Sequence, residues 1–187
     1  IDAYVQNVLD EDELLAAACK RLGMKVHRTN WDDPEMDWST TNYIIFRTTW
    51  DYFERFPEFS KWLEEVQHQT RLINSKELIY WNLDKKYLRD LQRKGVRIPG
   101  TIYLNAGDTS SLTSVVEKSG WKQCILKPAV SGAARHTYKV DTGNASNYDA
   151  IFEELIQEES MMLQEYQEQI TTKGEVSYML FGGKYSH

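Results

Sequence analysis

The residues best suited to chemistry lie in Cys124-Ile125-Leu126-Lys127-Pro128-Ala129-Val130-Ser131-Gly132-Ala133-Ala134-Arg135-His136-Thr137. Apolar Ile125 and Leu126 read as a buried strand, and Lys127 leaves it as a point charge for phosphate oxygens. The small residues from Ala129 to Ala134 would let backbone N–H groups approach an anion with no bulky side chain in the way. The same letters also describe a charged strand end followed by a hairpin loop, so the choice rests on other segments. Upstream, Trp81-Asn82-Leu83-Asp84-Lys85-Lys86-Tyr87-Leu88 runs to Gly95-Val96-Arg97-Ile98-Pro99-Gly100-Thr101. Downstream, Met161-Met162-Leu163-Gln164-Glu165-Tyr166-Gln167-Glu168 leads to Lys173-Gly174-Glu175-Val176-Ser177.

A lysine opening a helix, a helix closed by Gly, a Pro-Thr strand entry, a Lys-Pro small-residue loop and a polar hinge after an apolar strand follow one another in this order. The sequence thereby resembles the ATP-grasp superfamily. Trp31-Asp32-Asp33-Pro34, Arg47-Thr48-Thr49-Trp50-Asp51-Tyr52 and Ser131-Gly132-Ala133-Ala134-Arg135 are spelled most like the group containing the cyclo-ligase of D-cycloserine biosynthesis. The resemblance covers nearly the whole chain. It implies a pre-ATP-grasp domain over 1–98 and, over 99–187, the N-terminal subdomain and the start of the second subdomain of an ATP-grasp domain.

The elements that must position these residues begin with a helix from Asp10. Asp10 is suited to cap it, Glu11, Asp12 and Glu13 favour its N-terminus, and Leu15, Ala18, Cys19 and Leu22 form a helical stripe ending before Gly23. Lys25 to Arg28 reads as a strand, Tyr43 to Phe46 as a more apolar one, and Phe59, Trp62, Leu63 and Val66 share a helix face before a strand from Arg71 to Ile73. Helices alternating with short apolar strands imply an α/β, Rossmann-like N-terminal layer with a parallel sheet. No Gly-x-Gly-x-x-Gly turn supports a dinucleotide site. Ser75 would cap a turn from Lys76 to Tyr80, and Asn82 or Asp84 would start the next helix, with Leu88 and Leu91 inward and Gly95 closing it.

Strands at Thr101 to Leu104, around Lys127, at Tyr138 to Val140 and at Met161 to Leu163, with helices at Leu112 to Lys118 and around Ile151 to Ile156, describe a small α+β unit of mainly antiparallel strands. Gln164 to Gln167 reads as a polar connector. Both ends read as cut: Ile1-Asp2-Ala3-Tyr4 as the tail of a strand, and Phe181 to His187 as a hairpin whose second strand has barely begun. The chain is therefore expected to be a fragment, or the ordered part, of a longer protein, with the C-terminal half of the fold missing.

Composition restricts the function. A length of 187 residues, 41% apolar and 27% charged, suits an ordinary globular core. A net charge of −6, from 22 basic and 28 acidic residues, argues against a nucleic-acid partner, which needs a basic face. No apolar run approaches the ~20 residues of a membrane helix, and no signal peptide pattern is present. Cys19 and Cys124 read as free thiols rather than a disulfide or metal pair. The reading is cytoplasmic.

Arg47 and Asp51 flank Thr48-Thr49-Trp50 at the carboxyl end of a strand, where open parallel sheets place ligands. Arg47 would hold a substrate carboxylate through paired hydrogen bonds, or else it pairs with Asp51 over a packed Trp50. The aromatic residues Trp50, Tyr52, Phe53 and Phe56 read as core.

The resemblance implies carboxylate activation: ATP phosphorylates a small amino-acid-like carboxylate, and an amine attacks the acylphosphate. It implies that Lys85, with Lys86 as fallback, Lys127, Ser131, Gly132 and Ala133 hold the phosphates, and that Arg135 stabilises transferred charge. Gln164 or Glu165 would meet the adenine amino group, Tyr166 and Gln167 would offer backbone atoms, and Glu175 or Glu168 would reach the ribose or the metal region. Ile125, Met162 and Leu163 would line the base pocket. His136 is either a substrate contact or structural. Mg2+ is expected with ATP, its ligands lying beyond His187. Two readings compete: a nucleotide-binding module without turnover, and an interaction domain in which the Ser131 loop is only a turn.

Overall fold

The computed structural model describes residues 3–187, in two compact units. The first runs to Asp84 and takes in Val130–Ala133; the second comprises Lys85–Ala129 and Ala134–His187.

The first unit opens with α1, Ala3–Arg21. Ala3 and Tyr4 are helical rather than the tail of a strand; Ile1 and Asp2 lie outside the described residues. Asp10 is no cap, because the stretch before it contains no Gly or Pro to stop the helix, and the Asp10 carboxylate accepts instead from Gln6 Nε2 one turn back, at 2.7 Å. The expected strand from Lys25 to Arg28 does not form: its one aliphatic residue, Val26, is exposed, so pairing would bury nothing.

Strand β1, Tyr43–Ile45, pairs in parallel with β2, Arg71–Ile73, in the register Ile44↔Leu72. Parallel neighbours need a crossover, and α2, Phe56–Val66, provides it. Pro57 in its first turn costs no hydrogen bond there, and the α2 residues Phe59, Leu63 and Val66 join Trp31, Ile44 and Leu72 in the core. Phe59 is the hub: its ring meets Trp31 edge-on at 5.4 Å and Phe46 at 6.2 Å, contacts worth ~0.5–1.5 kcal/mol each beyond area burial. Trp50, expected in the core, is half exposed. Helix α3, Lys76–Leu83, is capped by Ser75 Oγ, which accepts from Leu78 N. It runs on through Asn82, which therefore does not start the following helix.

In the second unit, α4, Tyr87–Arg93, ends at Gly95, whose φ of +86° is a conformation that a β-carbon disfavours. Neither Asn82 nor Asp84 caps it, since Lys86 occupies the position before its first residue. A four-stranded sheet follows in the order β3-β6-β4-β5, from Thr101–Leu104 (β3), Cys124–Pro128 (β4), Tyr138–Val140 (β5) and Met161–Glu165 (β6), all neighbours antiparallel. Helix α5, Leu112–Ser119, is capped by Ser111 and closed at Gly120, and α6 spans Asp149–Glu158.

Alternation divides the sheet cleanly. Leu104, Cys124, Leu126, Val140, Met161 and Leu163 point into one core with Leu112, Val116, Phe152 and Ile156 of the two helices. The intervening residues Thr101, Tyr103, Ile125, Lys127, Lys139, Met162 and Gln164 share the opposite face, because the register pairs Thr101, Ile125 and Lys139 in one row with Gln164, and Tyr103 and Lys127 with Met162. Gln164 and Glu165 thus belong to the strand and not to a connector. Helix α7, Glu168–Lys173, follows, and β7, Leu180–Phe181, pairs with β8, Lys184–Tyr185, in the expected hairpin. Both cysteines are free thiols.

Candidate functional site

On the face of the β3-β6-β4-β5 sheet opposite α5 and α6, where Arg89 of α4 stacks over Tyr103 at 4.3 Å, Lys127 extends its ammonium to Gln164 Oε1 at 2.9 Å. The side chain is half buried, and burial pushes its ammonium below the usual lysine range. Among the described residues, Gln164 is the one hydrogen-bond partner of this nitrogen, so two of its three N–H donors are available to an anion. Gln164 Nε2 in turn donates to Thr101 Oγ1 at 3.0 Å, and Ile125 and Met162 give this face its apolar surface. Leu163, expected beside them, points the other way into the helix-packed core, because neighbours along a strand face opposite sides.

At the end of β6, Glu165 N donates to Gly100 O at 2.8 Å and Tyr166 N to Gln123 O at 3.0 Å, so these two backbone donors already have protein acceptors. The Tyr166 ring lies 3.8 Å from Lys139 Nζ in a cation–π contact. Gln167 Nε2 folds back onto the carbonyl of Glu165, and Glu175 lies in an exposed stretch after Gly174. The Lys85 backbone N–H donates to Ala129 O at 2.9 Å, tying the entry of α4 to the end of the Lys127 strand, and Lys86 Nζ reaches Ser160 Oγ at 3.2 Å.

In the small-residue loop, Ala133 and Ala134 hold φ of 49° and 58°, and His136 holds 47°. Left-handed conformations cost a residue with a β-carbon on the order of 1 kcal/mol each, because that carbon approaches the following carbonyl oxygen. Arg135 Nη2 is paired with Glu159 at 2.5 Å, and His136 Nδ1 lies 3.2 Å from the Tyr138 hydroxyl.

The first unit holds a cavity of about 580 Å³ at the carboxyl ends of its two parallel strands, where Phe46 and Arg47 follow β1, Ile73 ends β2 and Asn74 follows it. Trp50, Tyr52 and Phe53 wall it, and Gly132 closes one side, so close that a β-carbon would lie 2.7 Å from Phe53 Cε1. Arg47 and Asp51 do not pair. Arg47 donates from Nε to Asp12 Oδ1 at 3.0 Å and from Nη2 to Glu11 at 3.3 Å, while Arg28 takes the other Asp12 oxygen at 2.8 Å. Burial raises the Asp12 pKa, and the two arginines more than offset it, leaving that carboxyl below its ordinary 3.8. Both oxygens of Asp51 accept from Trp31 Nε1, at 3.0 and 3.1 Å, and Arg55 stacks over Trp31 at 4.6 Å while reaching Asp51 at 3.4 Å.

Arg47 and Gly132 therefore meet at one cavity, and Lys127 and Gln164 meet on one sheet face. Thr101, Asp12 and Lys139 were not among the expected site residues. The alternation Thr101-Ile102-Tyr103-Leu104 does carry a signal for Thr101, since it separates the polar from the apolar side of β3.

A family model described as the N-terminal domain of D-cycloserine synthetase DcsG matches residues 1–74. The cycloserine biosynthesis protein DcsG of Streptomyces lavendulae is 30% identical over 177 residues, covering 92% of this chain and 59% of that protein. The chain thus spans about three fifths of the length of that relative. The crystal structure of D-cycloserine synthetase DcsG superposes with a TM-score of 0.84 at 30% identity, over 92% of this chain and 60% of that one. The ATP-grasp ligase PsnB, solved with a minimal precursor, is similar in fold alone, with a TM-score of 0.51 at 16% identity over 88% of this chain and 61% of that one. No helix among the described residues is long and apolar enough to cross a membrane.

Proposed function

We propose, for a chain that is related to the ATP-grasp ligases near D-cycloserine synthetase, that it forms the ATP-binding part of an ATP-dependent ligase joining a carboxylate to an amine. The observation that carries this reading is the half-buried ammonium of Lys127, held by Gln164 with two donors unused by the described residues. A cation in that state is poorly solvated and gains from a phosphate oxygen.

In the proposed reaction the γ-phosphoryl group passes from ATP to a carboxylate oxygen of a small amino-acid-like substrate, and ADP leaves with the bonding pair of the broken P–O bond. The amine nitrogen then bonds to the acyl carbon as phosphate leaves with the bonding pair. Little covalent work falls to the protein, which positions the reactants and neutralises charge. Lys127 and Lys85 hold phosphates, with Ser131, Gly132 and Ala133 at the γ-position, and Arg135 meets the transferred group on leaving Glu159.

Glu165, Tyr166 and Gln167 edge the base, and Glu175 the ribose. Gln164, expected at the adenine amino group, acts through Lys127. Arg47 meets the substrate carboxylate by contact; Asp51 acts through the loop that it anchors to Trp31. We retain 1–98 and 99–187 as the domain division, a Rossmann-like character for the first, and a remainder of the fold outside this chain. The cytoplasm is the compartment that supplies the nucleotide. Magnesium accompanies ATP in this reading, but among the described residues no group of three or more His, Cys, Asp or Glu side chains gathers, so no residue here is assigned to it and no step is drawn through it.

The test is a thermal shift with magnesium-ATP on the protein and on Lys127→Ala, followed by phosphate release in the presence of amino acids. A ligand confined to the folded state stabilises it by ~2.7 kcal/mol at a hundredfold excess over Kd. A shift that disappears in the variant supports the site; an equal shift in both removes Lys127 from it. Binding without phosphate release on any amino acid favours a nucleotide-binding module over a ligase.

A further inference from the structure

We infer that Thr101 is a positioning residue for the phosphate-binding lysine, acting through a directed hydrogen-bond chain from Thr101 to Gln164 to Lys127. The inference rests on the nucleotide reading above and extends it to a residue on a strand that carries none of the expected site.

The direction of the chain follows from donor arithmetic alone. Thr101 Oγ1 lies 2.9 Å from the carbonyl oxygen of Pro99, which only accepts, so the single hydroxyl proton goes there. The hydroxyl therefore meets Gln164 as an acceptor, at 3.0 Å, and the end of the glutamine amide facing it must be the NH2 group. That turns Oε1 toward Lys127, whose ammonium only donates, and the 2.9 Å contact is satisfied. Reversed, the amide would set NH2 against NH3+ and leave the lysine with no acceptor from the described residues. The residues that make the chain lie across neighbouring strands: Thr101 pairs with Gln164 between β3 and β6, and Gln164 reaches past its own partner Ile125 to Lys127 on β4. One hydroxyl at a strand entry thus selects the rotamer of a glutamine and fixes where the ammonium sits on the face.

The experiment compares ATP with adenosine, which has no phosphate, on the wild-type protein and on Thr101→Val, Thr101→Ser and Gln164→Met by calorimetric titration. Thr101→Val keeps the volume of the side chain and removes the acceptor. It is expected to weaken ATP by ~10-fold, the loss of about one charged hydrogen bond, with adenosine unchanged. Thr101→Ser restores ATP to near the wild-type value, and Gln164→Met, cutting the next link, reproduces the valine result. Equal losses for ATP and adenosine, or no loss in Thr101→Val and in Gln164→Met, overturn the inference and leave the nucleotide site standing. Wild-type protein that binds adenosine as tightly as ATP overturns the phosphate role of Lys127, and this inference with it.

Discussion

Arg47 donates to Asp12, from α1, and not to Asp51, four residues on in its own loop. Asp12 is nearly buried while Arg47 is two-fifths exposed, so the carboxylate is the fixed member and the guanidinium the movable one. A guanidinium already holding a carboxylate in the geometry of an ion pair can exchange it for another of the same shape, which is the property the substrate role asks of Arg47.

Asp12→Asn removes the charge that Arg28 and Arg47 share. At pH 7 the variant is expected to lose ~1 kcal/mol of stability, a modest value because both arginines are partly exposed to water. The sign of the pH dependence follows from the lowered pKa. The stabilisation is present above 3.8 and is lost as pH falls through the folded value below it, so wild type and variant converge in acid. Urea melts at pH 7 and pH 3 check this; a difference that stays constant contradicts it.

Lys127 predicts an alkaline limb in nucleotide affinity. Its ammonium loses its proton below the ordinary 10.5 because burial disfavours the charge, and only the charged form holds phosphate. Affinity for ATP is expected to fall with rising pH sooner than an ordinary lysine allows, and the fall is expected to be absent in Lys127→Met. Calorimetric titrations between pH 7 and 10 read it, and superimposable profiles for the two proteins would count against the assignment.

Gly132→Ala places a carbon 2.7 Å from Phe53 Cε1. The ring must move within the cavity it walls, at a cost of ~1–3 kcal/mol. Phe53→Leu added to this variant is expected to recover most of the loss, giving a coupling in a double-mutant cycle on thermal stability. Additive losses would mean that the two positions are not in contact.

Leu163→Ala and Ile125→Ala separate the two faces of the sheet. Leu163 lies in the helix-packed core, where its truncation costs ~2–5 kcal/mol, with ATP affinity of the folded protein unchanged. Ile125 shares the face of Lys127 and Gln164, so its truncation is expected to weaken ATP. Denaturation and titration on both variants test the division, which fails if Leu163→Ala alone weakens the nucleotide.

The sequence by itself determined the elements whose signals act within a turn or a strand. A short apolar run marked β4 before Lys127, a helical stripe marked Phe59, Leu63 and Val66, and the stretch before Gly120 marked α5, because apolar runs, periodicity and helix stops are satisfied by neighbours along the chain. The absence of a signal misled where an element simply continued: α1 runs through Asp10, and β6 carries Gln164 and Glu165. Tertiary structure alone decided which groups face one another. Strand register put Gln164 beside Lys127 and turned Leu163 away from Met162, and a helix far upstream supplied the partner of Arg47. Those pairings come from long-range packing, in which a one-residue slip reverses every side chain, and no spacing along the chain encodes them.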